Sequence, residues 1–242
     1  MSDPRLAVID RRFKDVARII AVSSGKGGVG KSMIATSLAL NLRDRGHRVG
    51  LLDLDFTSPS THVILGAPEG LYPEEEYGIV PPTVNGLTYM SITYYSVDKP
   101  APLRGVDVSN AIIELLAITR WGELDYLVVD MPPGIGDATL DAIRLMPRTE
   151  FLVISTPSKV AYQSVRRLLL LLKELNIHTL GVIENMVMKP SGYVEDELQQ
   201  LGVKYMGSIK YDESLEDAIG DTGLIEKTTF YKSVGALVPQ LE

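Results

Sequence analysis

Apolar residues along this chain fall into two alternating kinds of segment. Short, nearly unbroken runs rich in Val, Ile and Leu stand at residues 18–23, 48–55, 124–130, 150–155, 180–184 and 203–208. Runs of that length, bounded by turn residues, predict strands buried on both faces. Between them, apolar residues recur every three or four positions, which predicts amphipathic helices. Ile9, Phe13 and Val16 mark one over 5–17, and Ile34, Leu38 and Leu42 mark one over 33–45. Ile112, Ile113, Leu115 and Leu116 mark a third over 106–119, and Val165, Leu168, Leu169 and Leu172 a fourth over 158–175. Shorter helical pieces are expected at 138–146, with Asp137 as N-cap, and at 213–219 and 230–237. Strand followed by helix, repeated, predicts an α/β fold: a mostly parallel, doubly wound sheet with helices on both faces.

Residues 68–102 break the rhythm. Glu74-Glu75-Glu76, Pro81-Pro82 and Asn85-Gly86 punctuate short β-like runs such as Leu87 to Tyr94. That pattern predicts a surface insertion with a hairpin, serving as a lid or partner-contact region. Its tyrosines (Tyr72, Tyr77, Tyr89, Tyr94, Tyr95) read either as a binding surface or as half-buried strand residues. No repeat, low-complexity tract or Pro/Ser-rich linker divides the chain, so one domain over 1–242 is expected.

Composition narrows the function classes. The 242 residues are 45% hydrophobic and 23% charged, ordinary for a water-soluble globular protein. Thirty-one acidic against 24 basic residues leave a net charge of −7, which argues against a nucleic-acid or anionic-membrane partner. The opening Met1-Ser2-Asp3-Pro4-Arg5 leads into a charged stretch rather than an apolar one, and Leu168 to Leu172 is too short to span a bilayer. The expected location is the cytoplasm. The cysteine count is zero, so no disulfide and no thiolate metal site is available.

The chemistry gathers where the first predicted strand meets its helix. Gly25-Lys26-Gly27-Gly28-Val29-Gly30-Lys31-Ser32 fits G-x-x-x-x-G-K-[ST], a loop whose backbone amides wrap a triphosphate. Glycines let the chain take positive φ and bring its amides up to phosphate oxygens. Lys31 supplies a point charge at the β- and γ-phosphates, and the Ser32 hydroxyl is a candidate Mg²⁺ ligand. Met33 follows Ser32 into the helix, whose positive end faces the anion. One helix later, Asp53 and Asp55 end the second strand, where they can hold Mg²⁺ and position a nucleophile. Asp130 ends a strand of buried β-branched residues and places a further carboxylate beside the metal. Gly134, in Met131-Pro132-Pro133-Gly134, can offer its amide to the γ-phosphate.

K-G-G-V-G-K-S resembles the deviant Walker A loop of the MinD/ParA/nitrogenase-iron-protein class of ATPases. The chain further resembles the Mrp/ApbC group within it, carriers and scaffolds for iron–sulfur clusters. That likeness rests on Ser24 to Ser32, Leu52-Asp53-Leu54-Asp55 with Ser58-Pro59-Ser60, Arg104-Gly105, and Trp121 to Tyr126. It continues through Asp130 to Asp137, Ser155-Thr156-Pro157, Glu184-Asn185-Met186 and Gly207-Ser208-Ile209. The resemblance implies a P-loop ATPase fold and ATP with Mg²⁺ as ligands. It implies an ATP-dependent homodimer in which Lys26 crosses to the partner's nucleotide. It also implies Asn185 at the adenine edge, Asp55 orienting the attacking water, and Asp53 and Asp130 around Mg²⁺. Two departures stand out. The Cys-x-x-Cys that follows Glu-Asn-Met in the family is replaced by Val187-Met188-Lys189-Pro190-Ser191-Gly192-Tyr193, and Lys210 stands where the family has proline. No Fe–S cluster is therefore expected on this chain alone. The leading expectation is a slow, homodimeric ATPase with a possible Fe–S or other partner protein. The alternatives are a MinD/ParA-like positioning ATPase and a nucleotide-switched adaptor or regulatory subunit.

Overall fold

Strand β1 (Val16–Ser24) lies in the middle of an eight-stranded sheet and leads into the glycine-rich loop. The computed structural model describes residues 4–94, 106–146 and 148–241, so Tyr95 and Arg104-Gly105 lie outside the described residues. After β1 come α2 (Lys31–Asp44), β2 (Val49–Asp53), α3 (Thr61–Leu65) and four short strands: β3 (Glu74–Glu75), β4 (Ile79–Val80), β5 (Thr83–Val84) and β6 (Leu87–Ser91). The second half runs α4 (Val106–Ile118), β7 (Leu124–Asp130), α5 (Asp137–Leu145), β8 (Thr149–Ser155), α6 (Lys159–Glu174) and β9 (Thr179–Val187). It closes with α7 (Tyr193–Leu201), β10 (Tyr205–Lys210), α8 (Leu215–Ala218), α9 (Thr222–Ile225) and α10 (Thr229–Leu237); α1 (Pro4–Arg12) precedes β1.

The strand order is β10-β9-β8-β1-β7-β2-β6-β5, and every pairing except β5 with β6 is parallel. Side chains alternate across this sheet with the period of two that a strand imposes. Ile19, Ala21, Leu127 and Val129 enter one core with α1, α4, α5, α6 and α7. Ile20, Val22, Tyr126 and Val128 enter the other with α2, α3, α8, α9 and α10. Helices therefore cover both faces, as the alternation of segments predicts.

Several boundaries differ from expectation for identifiable reasons. The first helix stops at Arg12, and Val16 belongs to β1, where it pairs with Leu124. The turn at Phe13 is closed by the Val16 amide donating to the Phe13 carbonyl at 3.1 Å. Part of the irregular 68–102 span is sheet: β6 lies parallel against β2, with Leu87 and Tyr89 fully buried. Asn85-Gly86 turns the β5–β6 hairpin, while the phenol of Tyr77 stands almost wholly in solvent. The N-cap of α5 is Gly136 rather than Asp137. Helix α7, absent from the sequence reading, buries Val194 and Leu198. Among the described residues no helix is long and apolar enough to cross a membrane.

Candidate functional site

The glycine loop leaves β1 at the C-terminal edge of the sheet, the edge where parallel α/β sheets receive ligands. Register brings two carboxylates to the same edge, since Asp53 of β2 stands opposite Asp130 of β7, and Asp130 opposite Val22 of β1. The loop, the two strand ends and the segment after β2 enclose a cleft of about 430 Å³, whose lining includes Lys26, Lys31, Ser32, Asp55, Ser58 and Pro133. At Gly30 and Met33 this cleft meets a second, more apolar slot of about 210 Å³ that includes Asn185, Lys210 and Phe230. A cleft edged by loop amides, Lys31 and Ser32 and joined to a more apolar slot is the shape that a nucleotide's phosphates and base require.

The loop is built onto its neighbours. Gly30 has φ +81°, and a Cβ there would overlap Asn185 Nδ2. That amide nitrogen donates to the Val29 carbonyl at 2.9 Å, so the end of β9 is fixed to the loop. Gly25 lies against the backbone of Ser164 and Val165 in α6, and any side chain would collide there. Ser24 Oγ donates to the Lys26 carbonyl at 2.9 Å, and the Gly134 amide donates to the Ser24 carbonyl at 2.9 Å. Lys26, Gly27 and Gly28 are exposed, with Val29 buried beneath them.

Lys31 is buried and reaches Asp130 Oδ1 at 2.5 Å and Asp55 Oδ2 at 3.9 Å; its Nζ also lies 3.4 Å from Ser32 Oγ. Asp130 is fully buried, and its Oδ2 has no hydrogen-bond partner among the described residues. Burial raises its pKa, with Lys31 opposing the rise. Burial also raises Asp53, against the hydrogen bonds it accepts. Those bonds occupy both its oxygens: Oδ1 accepts from the Asp55 amide at 3.0 Å, and Oδ2 from the Thr61 amide at 3.2 Å and hydroxyl at 2.7 Å. Thr61 Oγ1 in turn lies 2.9 Å from Tyr89 OH. Asp53 thus braces the 53–61 segment. Asp55 Oδ1 accepts from Thr57 Oγ1 at 2.7 Å and from the Ser58 amide at 3.1 Å, which turns Oδ2 toward Lys31.

The structure brings Gly25 to Met33, Asp53, Asp55, Asp130, Gly134 and Asn185 to this one edge. Sequence reasoning missed the wall of the apolar slot, Lys210 and Phe230 above all. Phe230 comes from a helix after the last strand, and nothing in its local pattern separates it from an ordinary core residue.

Comparison with known proteins agrees with the geometry. The family model described as ParA, NUBPL iron-transfer P-loop NTPase, matches residues 15–229. A protein of Pseudomonas fragi named iron-sulfur cluster carrier protein is 41% identical over 72% of this chain and 62% of its own length. One of the same name from Aquifex aeolicus is 37% identical over 86% of this chain and 61% of its own. The chain therefore spans about three fifths of these two relatives. Among solved structures, a nucleotide-binding protein of Archaeoglobus fulgidus in complex with ADP superposes with a TM-score of 0.78 at 28% identity, over 92% of this chain and 93% of that one. The MinD cell division protein of Aquifex aeolicus, at 24% identity and a TM-score of 0.68 over 93% and 96%, shares the fold. With its glycine loop and strand-end acids inside a match running from residue 15 to residue 229, the chain belongs to the ParA/NUBPL iron-transfer family of P-loop NTPases.

Proposed function

We propose that this protein binds Mg²⁺-ATP, hydrolyses it slowly and works as a homodimer, with nucleotide switching the dimer between states. The carrying observation is the convergence of Lys31, Asp55 and Asp130 on a cleft walled by the glycine loop. The loop amides and Lys31 grip the phosphates; the Gly134 amide, expected from the sequence to reach the γ-phosphate, is instead given to the Ser24 carbonyl and ties its turn to the loop. Asn185, already fixed to the loop, borders the base slot and reads the adenine edge.

The residues present fit Mg²⁺, because Asp130 Oδ2 is buried without a partner among the described residues, and Lys31 Nζ lies both 2.5 Å from the other Asp130 oxygen and 3.4 Å from the Ser32 hydroxyl. Asp130, Ser32 and Asp55 would hold the ion, with Asp53 fixing Asp55 in place. When bound it supplies positive charge to the phosphate oxygens. Asp55 orients the attacking water, its carboxylate held by Thr57 and Ser58. Lys26, exposed at the loop's rim, reaches the partner's phosphates once two copies dock.

The relatives are named for carrying iron–sulfur clusters. This chain has no cysteine, so it would contribute the nucleotide-driven step while a partner protein supplies the thiolates. We read it as cytoplasmic, and its net charge of −7 favours neither DNA nor an anionic membrane as partner. The test is thermal unfolding with Mg²⁺-ATP. At about a hundred times Kd the nucleotide should add ~2.7 kcal/mol of stability, and Lys31→Ala should remove that gain. An equal response of both proteins would refute the reading.

A further inference from the structure

At the opposite end of the sheet, a cleft of about 450 Å³ opens between α1, the β3–β4 hairpin and the turn before β7. The nine residues of β1 separate it from the glycine loop, about 30 Å at the rise of a strand. Four cations line it, Arg11, Arg12, Lys14 and Arg120, against two carboxylates, Asp15 and Glu76. In a chain of net charge −7 this is a local reversal of sign. Crowding is visible in Arg12, whose pKa is lowered by burial and then by the positive charges of Arg120 and Arg11.

The cations are positioned rather than loose. Arg12 donates from Nε to the Ala117 carbonyl at 2.9 Å and from Nη2 to the Tyr77 carbonyl at 3.1 Å. Arg120 donates to the Glu76 carbonyl and, at 2.9 Å, to its carboxylate. These bonds lock the hairpin as one wall. Among the described residues Arg11 donates only within its own helix, to Ala7, and Lys14 faces only Asp15, at 3.6 Å. Trp121 completes the floor; it is buried, and its indole N–H finds no acceptor among the described residues.

We infer that this cleft is a binding site for a small molecule carrying two or more carboxylate or phosphate groups. Its size suits such a ligand, and guanidinium and ammonium groups converging on one cleft are the donors that oxyanions take. The site shares no lining residue with the cleft at the glycine loop.

Trp121 is the only tryptophan in the sequence, so its emission reports on this cleft alone. Citrate and inorganic phosphate should each be titrated against a sodium chloride control at equal ionic strength, by fluorescence and by calorimetry. Saturable binding of either anion is expected, and the anion whose Kd rises in the Arg11→Ala, Lys14→Ala variant assigns the class, because the glycine loop also takes phosphate. Arg11→Ala with Lys14→Ala removes two cations that hold no other element, and should raise Kd about tenfold or more. Arg166→Ala with Arg167→Ala, the same charge change on the exposed face of α6, should leave Kd within twofold. Absence of calorimetric binding by both anions, or equal Kd values in the two double variants, would overturn the assignment.

Discussion

Lys31 Nζ stands 2.5 Å from Asp130 Oδ1, so the lysine of the glycine loop is already paired with the carboxylate that ends β7. Both groups are buried, and desolvation makes each costly without the other. Removing one side should therefore cost more than removing both. Lys31→Ala alone is expected to destabilise the nucleotide-free protein by up to about 3–5 kcal/mol, less whatever Asp130 recovers by taking up a proton. Lys31→Ala with Asp130→Asn should be more stable than the sum of the single changes. Denaturant unfolding of the four proteins measures the coupling, and additivity within about 0.5 kcal/mol would mean no coupling.

Asp55 is anchored by Thr57 and Ser58 and touches the lysine only at 3.9 Å. Its proposed work is on water, not on phosphate. Asp55→Ala should keep ATP affinity within a few fold and lower turnover at least about a hundredfold, the size of a lost general-base contribution. A fall in affinity matching the fall in turnover would make holding Mg²⁺-ATP, not orienting water, the main work of Asp55.

Lys26 is exposed on the free protein, where a second positive charge near the γ-phosphate has no use until another copy docks. Lys26→Ala should leave monomer affinity for ATP unchanged and weaken nucleotide-dependent dimerisation and hydrolysis. Light scattering in ADP and in a non-hydrolysable analogue reads this directly. Identical association in both nucleotides, for wild type and variant, would count against it.

Asp212 accepts hydrogen bonds from Ser214 Oγ at 2.6 Å, Thr229 Oγ1 at 2.6 Å and the Phe230 amide at 3.0 Å. These bonds hold its carboxyl well below the usual carboxylate range. A lowered folded pKa means stability present above the unfolded value of about 3.9 and lost as pH falls below it. Asp212→Ala should cost about 1 kcal/mol at neutral pH, like the loss of a helix cap. The gap from wild type should close between about pH 4 and pH 2; a gap independent of pH would show the carboxylate to be idle.

Cluster chemistry gives the sharpest separation from the relatives. After anaerobic reconstitution and desalting, this protein should retain far less than one [4Fe–4S] cluster per two chains, since it has no thiolate to donate. Near-stoichiometric iron and sulfide, with charge-transfer absorbance on the isolated protein, would require histidine or carboxylate ligation.

The chain by itself determined the repeating strand and helix units, the parallel doubly wound class and the phosphate loop. Each is written locally, in runs such as Leu124 to Asp130, in the spacing of Ile34, Leu38 and Leu42, and in eight consecutive loop residues. Tertiary structure alone decided what comes together across distance. That Asp53 spends both oxygens on Asp55 and Thr61 depends on how the segment after β2 folds back. That β6 is a strand of the main sheet depends on pairing with β2, because its five residues carry the same alternation as an exposed hairpin. The apolar slot needs Asn185 from β9, Lys210 from β10 and Phe230 from α10 at one point. The basic cleft likewise joins residues from α1, the hairpin and the turn before β7. Periodicity reports which face of an element is buried; which elements share an edge follows from strand order, and no local pattern encodes that.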